Sequence, residues 1–453
     1  MPYLNLFILL SRYIFVGFAL VFIIVAFSFM KPFLPYSLGD SKAKNNLLYL
    51  CITFFHIGGS SILIAKAADA VIRQQIVINS IVMFLVITLT TIVLRLCKRY
   101  YQLILWNIVF FLMDVSYIML ERLDGEMAIK QIGWIIVSLA VAIFVPWIFV
   151  RLIHYKYKYF YLGITIIMML LPFIFGDSRN GAINWVEIGG ISFQPSEIGK
   201  VTLIIFLAGI LHDFSKSRDK LKKLLLAGAS VGFALICLVL QKDLGGALLY
   251  YLTFLVMLFI GTQKVWLSLL GLIGGIGASI IGYNLFSHVR VRVEAWLNPW
   301  ADISGGGYQV VQGLFAMGTW GWFGSGLTRG IPSKIPFVTT DYIFAAVAEE
   351  FGNLFAIVVI LCYFAIILQG LKIALLQKEK FYMFVCIGIV TLLGFQVFII
   401  VGGVLKLVPL TGITLPFVSY GGTSMLVSVG MIGILSILSY KAKKIPIEED
   451  GTK

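Results

Sequence analysis

Charged residues and cysteines are both scarce in this chain of 453 residues. Only 12% of the residues are charged and 60% are hydrophobic, which is far more apolar surface than a soluble core of this size needs. The five cysteines lie in or beside apolar runs without metal-ligand spacing, so we expect neither a disulfide framework nor a zinc site. Walker A, dinucleotide-binding and HExxH motifs are absent, and the N-terminus lacks the basic start of a removable signal peptide.

Repeated apolar runs of about 20 residues predict an all-α, polytopic membrane protein, because a helix of that length crosses the hydrocarbon layer. Thirteen candidate spans lie at about 10–30, 47–66, 77–96, 101–120, 131–150, 157–176, 195–214, 222–240, 244–262, 265–285, 341–371, 381–403 and 414–440. The span at 341–371 is long for one crossing. We therefore expect part of it to lie outside the hydrocarbon layer or to tilt.

The formal charge of +14 does not indicate a nucleic-acid groove, because most of the 35 Lys and Arg residues lie in alternate short connections. Examples are the basic run at 216–223 and the lysines at 441–444. The positive-inside rule then predicts a cytoplasmic C-terminus and an external N-terminus. It also places the longest polar connection, at 286–340, on the external face, where no cytosolic ATP is available.

The 286–340 connection gathers ionisable and glycine residues, which is typical of a site at a membrane surface. Asp302 closes an Asn-Pro-Trp-Ala-Asp sequence and is a candidate general base. The candidates for neutralising a phosphate-bearing leaving group are Arg290, Arg292, Arg329 and Lys334. The alternative is that Asp302 only closes a turn, which is a common role for aspartate.

Two helix entries carry further candidates. Gln194 and Pro195 precede Glu197 and Lys200, which share one face of the predicted helix. This pattern indicates either a capped helix start with a local ion pair or a polar cavity, since charges are costly in lipid. Asp243 precedes a Leu-Gly-Gly sequence and is either a functional residue or a helix N-cap.

The last third of the chain holds two more polar patterns. Asp341 is a candidate N-cap, and Glu349 and Glu350 lie about two turns into an apolar run, so at least one must face a partner or water. The stretch at 409–424 contains two prolines and three glycines. It predicts a non-helical, re-entrant segment that is buried in protein or lines a cavity.

Together these motifs resemble the SEDS family (shape, elongation, division and sporulation), which includes the FtsW, RodA and SpoVE proteins. The shared elements are Asn180-Gly181-Ala182 with Trp185, Gln194-Pro195-Ser196-Glu197 with Lys200, Asp243-Leu244-Gly245, Asn298-Pro299-Trp300-Ala301-Asp302, Gly307-Tyr308-Gln309, Thr340-Asp341-Tyr342-Ile343-Phe344, Glu349-Glu350-Phe351-Gly352 and the 411–424 stretch with Ser419-Tyr420-Gly421-Gly422. Their common order is more specific than any single motif. Two positions depart from the pattern, because many members carry Asn at the position of Ile400 and Gly at that of Lys406.

The resemblance implies a ten-helix core, and the region from residue 101 onward supplies ten candidate spans. Residues 1–96 would then be three additional N-terminal helices, 97–445 the glycosyltransferase core and 446–453 a cytoplasmic tail. The implied activity is that of a peptidoglycan glycosyltransferase, which polymerises lipid II at the outer face of the cytoplasmic membrane. A division, elongation or sporulation role stays open.

The resemblance also implies roles for the site residues. Asp302 would be the catalytic base. The implied substrate-binding residues are Arg290, Arg292 and Lys200 for phosphate contacts, Glu197, Asp341 and Glu350 for cavity shape or cation binding, and Gln194, Asp243 and Ser419. A divalent cation, Mg²⁺ or Mn²⁺, is expected to help with the pyrophosphate, although no ligand cluster is evident, and no organic cofactor is expected.

The implied partner is a class B penicillin-binding transpeptidase, besides lipid II and the membrane lipids; no nucleic acid is expected. The alternative function is that of a lipid-linked precursor flippase or a non-catalytic scaffold. A flippase would expose charges along a path through the whole bilayer. Here the charged candidate residues lie in the external half of the membrane, with Asp114 as an exception. This distribution favours a reaction at the membrane surface over transport through the bilayer.

Overall fold

The computed structural model describes residues 2–29, 42–97, 102–149, 153–179, 182–214 and 218–444. Within these ranges the chain is mostly helical, which confirms the predicted fold class. Twelve of the described helices are long and apolar enough to cross a membrane, so the chain is a multi-pass membrane protein. The predicted tail at 446–453 and the motif residues Asn180 and Gly181 lie outside the described residues.

The described α-helices are α1 (Pro2–Ser28), α2 (Lys42–Lys66), α3 (Ala70–Leu96), α4 (Leu103–Leu123), α5 (Gly125–Phe149), α6 (Lys158–Phe175), α7 (Pro195–Phe214), α8 (Lys220–Leu240), α9 (Leu244–Thr262), α10 (Val265–Leu285), α11 (Ser287–Leu297), α12 (Tyr308–Thr319), α13 (Ile343–Phe351), α14 (Asn353–Leu375), α15 (Lys380–Val404) and α16 (Gly422–Lys444). Short 3₁₀ turns lie at Tyr155–Tyr157, Pro299–Asp302 and Pro332–Lys334. Among the long helices, α7 is not one of the twelve candidate spans. The division into ten core helices and three N-terminal helices stays a prediction.

The apolar run at 341–371 is divided into two helices at Gly352, which explains its unusual length. Gly352 has a φ of 93°, a conformation that side chains other than glycine rarely adopt. A Cβ atom there would lie 2.4 Å from the carbonyl oxygen of Trp322. The close approach of the 322–324 backbone therefore fixes the break between α13 and α14.

A small antiparallel sheet precedes α7 and adds an element that the apolar pattern did not predict. Its strands are β1 (Gly176–Arg179), β2 (Ala182–Ile188) and β3 (Ile191–Phe193), in the order β1-β2-β3. Gly189 and Gly190 join the last two strands with φ values of 60° and 80°, as a tight hairpin requires. The sheet leads directly into Gln194 and the first turn of α7.

The helix α4 lies inside the helical assembly. Every residue from Ile104 to Glu121 is buried, which agrees with a helix that is apolar on nearly all its faces. Both α2 and α14 pack against it, and α5 follows it directly. Because α4 packs against both α2 and α14, it connects the three N-terminal helices with the rest of the chain.

The N-terminal helices contact the remaining helices through aromatic and polar side chains. The ring of Phe15 on α1 lies 5.5 Å from those of Phe55 on α2 and Phe351 on α13, in edge-to-face geometry. His56 Nδ1 lies 2.6 Å from Asp114 Oδ1, and both residues are buried. The pair gives the imidazole and one carboxylate oxygen a polar partner inside the protein, where exposure to lipid would be costly.

Candidate active site

The long polar loop at 286–340 is largely ordered by two helices, α11 and α12. Its first helix docks on the non-helical residues between α15 and α16, here named the 405–421 loop. Trp296 Nε1 donates to the carbonyl oxygen of Lys406 at 3.1 Å, and Arg292 Nη1 donates to that of Thr411 at 2.9 Å. These bonds place Arg292 beside the 405–421 loop.

Asp302 ends the 3₁₀ turn after α11, and its side chain is exposed. Its Oδ2 atom accepts a hydrogen bond from Gly306 N at 2.8 Å, whereas Oδ1 accepts none from the residues that the structure describes. A Cβ atom on Gly305 would lie 2.2 Å from Oδ2, so the glycine run allows this close approach. Asp302 therefore closes a turn and still presents one carboxylate oxygen to solvent, which is the geometry that a base needs.

The 405–421 loop is non-helical, as the prolines and glycines predict, and its polar groups find partners inside the protein. Gln396 donates to the carbonyl oxygen of Thr414 at 2.9 Å. The hydroxyl of Ser419 donates to the carbonyl oxygen of Thr340 at 2.5 Å and accepts from Leu415 N at 2.9 Å. Because Ser419 is buried, these contacts indicate that it holds the two loops together.

Arg292 and Asp341 face each other across Gly412. A Cβ atom on Gly412, whose φ is 77°, would lie 3.4 Å from Arg292 Nη2 and 3.6 Å from Asp341 Oδ2. Burial raises the pKa of Asp341 to about 6, although a hydrogen bond with Thr340 and the charge of Arg292 both lower it. The two loops thus bring a cation and a carboxyl group together.

Two basic residues near Arg292 escaped the sequence analysis. The pKa of His288 is lowered mainly by burial and further by the positive charges of Arg292 and Lys242, so its imidazole is neutral at pH 7 and only Arg292 and Lys242 carry a charge there. Lys242 directly precedes the candidate Asp243 in the chain. A lone histidine or lysine carries little signal in a sequence, so only the folded arrangement relates these two residues to Arg292.

Gln194 and Asp243 meet where α7 and α9 begin. Gln194 Nε2 donates to Asp243 Oδ2 at 2.9 Å, and Asp243 Oδ1 accepts from Gly246 N at 2.8 Å as the N-cap of α9. Gln194 N also donates to the hydroxyl of Thr423 at 3.2 Å. The N-cap interpretation of Asp243 is therefore confirmed, and its contact with Gln194 ties this corner to α16.

Glu197 and Lys200 form the predicted ion pair, with Lys200 Nζ 2.6 Å from Glu197 Oε1. Both side chains are buried, with exposed fractions of 9% and 3%. Tyr250 on α9 donates to the carbonyl oxygen of Ser196 at 2.6 Å and so holds the first turn of α7. A small cavity beside the pair is lined by Lys200, Leu203, Ile204, Leu207, Tyr250, Thr253 and Leu392.

Arg290 and Glu350 make contacts outside this group. Arg290 Nη2 donates weakly to the carbonyl oxygen of Asn284 at 3.4 Å, and its guanidinium lies 5.7 Å from the ring centre of Tyr283. Glu350 is fully buried and accepts from Arg122 Nε at 3.2 Å. The described contacts of these two residues do not join them to Asp302, and a substrate role for either stays a prediction.

The amino-acid sequence from residue 101 to 444 matches the cell cycle protein family FTSW_RODA_SPOVE. The chain is 34% identical over 400 residues to the peptidoglycan glycosyltransferase RodA of Mycobacterium tuberculosis, covering 80% of this chain and 84% of the relative. It is 35% identical over 275 residues to the stage V sporulation protein E of Bacillus subtilis, covering 60% and 74%.

Solved structures show the same fold. A chain of a peptidoglycan synthase complex that coordinates polymerization and crosslinking superposes with a TM-score of 0.65 at 26% identity, covering 75% of this chain and 98% of that chain. The rod shape determining protein RodA of Thermus thermophilus superposes with a TM-score of 0.56 at 23% identity, covering 76% and 97%. The resemblance found in the motifs is confirmed, and the chain belongs to the FtsW/RodA/SpoVE family.

Proposed function

We propose that this protein is a peptidoglycan glycosyltransferase that polymerises lipid II into glycan strands at the outer face of the cytoplasmic membrane. Relatives that carry the name peptidoglycan glycosyltransferase cover most of the chain at 34% identity. The observation that carries the proposal is the exposed Oδ1 atom of Asp302, next to a helix that presents Arg292. A carboxylate base and a cation are the two groups that glycosyl transfer to a hydroxyl requires.

The reaction joins a sugar hydroxyl of the acceptor to the anomeric carbon of the donor. Asp302 takes the hydroxyl proton as the new C–O bond forms. The bond from the anomeric carbon to the pyrophosphate breaks, and its electron pair leaves with the polyprenyl pyrophosphate. Arg292, with Lys242 as a second positive charge, stabilises the negative charge of that leaving group.

A polymerisation assay tests the proposal. Purified protein receives labelled lipid II and a divalent cation, with and without a candidate transpeptidase that is inactive for crosslinking, and the products are resolved by length. We expect glycan chains from the wild-type protein. If folded protein makes no chains in any condition while a known polymerase does, the flippase or scaffold alternative replaces the proposal.

The structure offers an observation against the flippase alternative. Asp114, the exceptional charge in the sequence analysis, is completely buried and bonded to His56 of the neighbouring α2. It therefore serves a helix contact in the described structure. This favours surface chemistry over a charged path through the bilayer.

The proposal includes an external N-terminus and a cytoplasmic C-terminus, as the basic connections indicate, and therefore takes α7 as a thirteenth crossing beside the twelve candidate spans. We expect the variant Asn5→Cys, at an exposed position of α1, to react with an impermeant thiol reagent on intact cells. Cys97 is the one native cysteine that is not buried, so Cys97→Ser is the appropriate background. Labelling only after the cells are opened would show that the N-terminus is cytoplasmic and would contradict the proposed orientation.

We also propose a class B penicillin-binding transpeptidase as the partner. The support is the similarity to a chain of a synthase complex in which polymerization and crosslinking are coordinated. Crosslinking needs newly made strands, so a stable pair of the two enzymes would deliver the product of one to the other. Co-purification of the two full-length proteins from membranes tests this pairing, and their separate elution would contradict it.

A divalent cation, Mg²⁺ or Mn²⁺, completes the proposal, with Asp341 as its protein ligand. No group of three or more His, Cys, Asp and Glu side chains in the described residues forms a full metal site. One carboxylate suffices for Mg²⁺, because that ion commonly retains waters and shares substrate phosphates. When bound, the cation supplies positive charge to the departing pyrophosphate.

Asp341 gives this proposal a measurable pH dependence. Because its pKa lies at about 6, we expect polymerisation to fall as the pH decreases through about 6. Asp341→Asn should be less active at pH 7 and should lose this dependence. More Mg²⁺ should move the midpoint to lower pH, since a cation favours the ionised carboxylate. If the pH midpoint of activity did not change with the Mg²⁺ concentration, Asp341 would be excluded as a ligand of the cation.

The pH dependence of stability provides the control, because its sign is opposite. The folded pKa of Asp341 exceeds its ordinary value of 3.8, so this group makes the fold less stable as the pH rises from about 4 to 6. Unfolding through Asp341 therefore cannot explain activity lost at low pH. A thermal unfolding measurement at each pH separates the two effects.

A further inference from the structure

The first helix reaches the polar loop of the active site. Arg12 Nη1 on α1 donates to the carbonyl oxygen of Gly324 at 3.1 Å, and the ring of Tyr13 lies 4.7 Å from that of Phe323. A Cβ atom on Gly326 would lie 3.2 Å from the carbonyl oxygen of Ile8. Helix α1 thus contacts the backbone of the loop directly along one turn and a half of its length.

The loop residues that α1 contacts belong to a segment at 323–331 that forms neither helix nor strand. Gly324, Gly326 and Thr328 in this segment have φ values of 71°, 93° and 72°. Residues in this conformation do not extend a regular hydrogen-bond ladder, and a non-glycine residue there is strained. The segment therefore depends on contacts from its surroundings to keep its shape.

One set of these contacts comes from α13. Ser325 N donates to the carbonyl oxygen of Glu349 at 2.8 Å, and Gly326 N donates to that of Glu350 at 3.0 Å. The Glu350 carboxylate accepts from Thr328 N at 3.2 Å, and the Glu349 carboxylate accepts from Ile331 N at 2.7 Å. The two adjacent glutamates thus bind the segment at both of its ends.

A second set comes from α4. Arg122 bonds to the Glu350 carboxylate through Nε at 3.2 Å and to the carbonyl oxygen of Gly330 through Nη2 at 3.4 Å. Arg12 and Arg122 therefore bind opposite ends of the 323–331 segment, one from α1 and one from α4. The buried pair of His56 and Asp114 joins α2 to α4, and α1 packs on α2. These contacts connect both arginines to one helical framework.

The position of the segment in the loop makes its shape relevant to the reaction. It follows α12, whose own N-terminus comes directly after the Asp302 turn, and it precedes the turn that carries Asp341. Gln309 at the start of α12 donates to the carbonyl oxygen of Pro336 beyond the segment, at 3.3 Å. A shift of the 323–331 segment would therefore alter the spacing between Asp302 and Asp341.

We propose that α1, packed on α2, braces the active-site loop through the 323–331 segment, with Arg12 as a positioning residue for glycan polymerisation. This inference rests on the proposed function, although the brace itself is a statement about structure. Arg12 acts through Gly324 and touches no reacting atom. The N-terminal helices thus belong to the machinery that sets the geometry of the site.

The test compares Arg12→Ala and Arg12→Lys with Arg73→Ala, which removes an exposed arginine of α3 whose guanidinium makes no hydrogen bond to described residues. The full-length variants are compared in hydrogen exchange and in lipid II polymerisation. We expect faster exchange at 323–331 in Arg12→Ala and a fall of about tenfold in kcat/KM, since small displacements of reacting groups have large effects on rate. Arg12→Lys should recover part of both, because an ammonium group can also donate to the carbonyl oxygen of Gly324.

The two measurements distinguish the brace from the proposed function. Unchanged exchange at 323–331 in Arg12→Ala would overturn the brace. Faster exchange with wild-type kcat/KM would overturn the positioning role of Arg12. If the wild-type protein made no glycan at all, the proposed function would fail, yet the exchange measurement would still decide whether α1 holds the segment. An equal loss in Arg73→Ala would contradict a specific role for Arg12.

Discussion

Replacing Asp302 with alanine is expected to abolish detectable glycan polymerisation, since a positioned base contributes roughly 10²–10⁴-fold to a rate. The exposed Oδ1 atom beside the glycine run is available for the hydroxyl proton. The measurement is the yield of glycan chains from labelled lipid II. Membrane insertion and partner binding should be unchanged, because the side chain is exposed.

The variant Asp302→Asn separates the catalytic role from the role in the turn. Its side-chain oxygen can still accept the hydrogen bond from Gly306 N, but the amide cannot take a proton at neutral pH. If Asp302 acts as a base, the Asn variant should be as inactive as the Ala variant. Activity close to wild type in Asp302→Asn would show that only the turn matters and would remove Asp302 from the mechanism.

Replacing Lys200 with methionine should destabilise the fold by about 3–5 kcal/mol, because it leaves the buried Glu197 carboxylate without its counter-charge. Both side chains are at least nine-tenths buried, so water screens the pair very little. Thermal unfolding of the detergent-purified protein measures the effect. The double variant Glu197→Gln with Lys200→Met removes both charges and should recover most of the lost stability.

The same double variant tests whether Lys200 contacts substrate. If Lys200 binds a phosphate of lipid II, the double variant should fold well and polymerise poorly. If the pair serves only the fold, activity should return together with stability. A double variant that is as unstable as Lys200→Met would contradict the charge-burial argument itself.

The helices were predictable from the sequence, because an apolar run of about 20 residues has the length of a membrane-spanning helix, which satisfies its backbone hydrogen bonds internally. The three-stranded sheet at 176–193 was not, since its strands are short and carry no clear alternation of apolar and polar residues. The division of the 341–371 run depends on Gly352 meeting the backbone of Trp322, which is a tertiary contact. The local sequence pattern alone therefore does not predict this break between α13 and α14.

The sequence motifs predicted the individual residues of the site, but they did not predict which of these residues lie close together. The motifs supply Asp302, Arg292 and Asp341, yet the meeting of the last two across Gly412 depends on the path of the 405–421 loop. The glycine that many family members carry at the position of Lys406 has a structural explanation. Lys406 has a φ of 61°, a conformation that glycine adopts most easily, and its carbonyl oxygen accepts from Trp296. Ile400, the other departure, is fully buried in α15 among apolar neighbours.

The buried pair of His56 and Asp114 also bears on the biogenesis of the protein. Ribosomes make α2 before α4, so His56 leaves the ribosome ahead of Asp114. A lone carboxylate at the centre of a helix opposes insertion by roughly 2.5–3.5 kcal/mol on translocation scales. When α4 leaves the translocation channel, the helix that carries its hydrogen-bond partner is already in the bilayer. Because of this order of synthesis, the N-terminal helices are inserted first, and the rest of the chain, beginning with α4, packs against them.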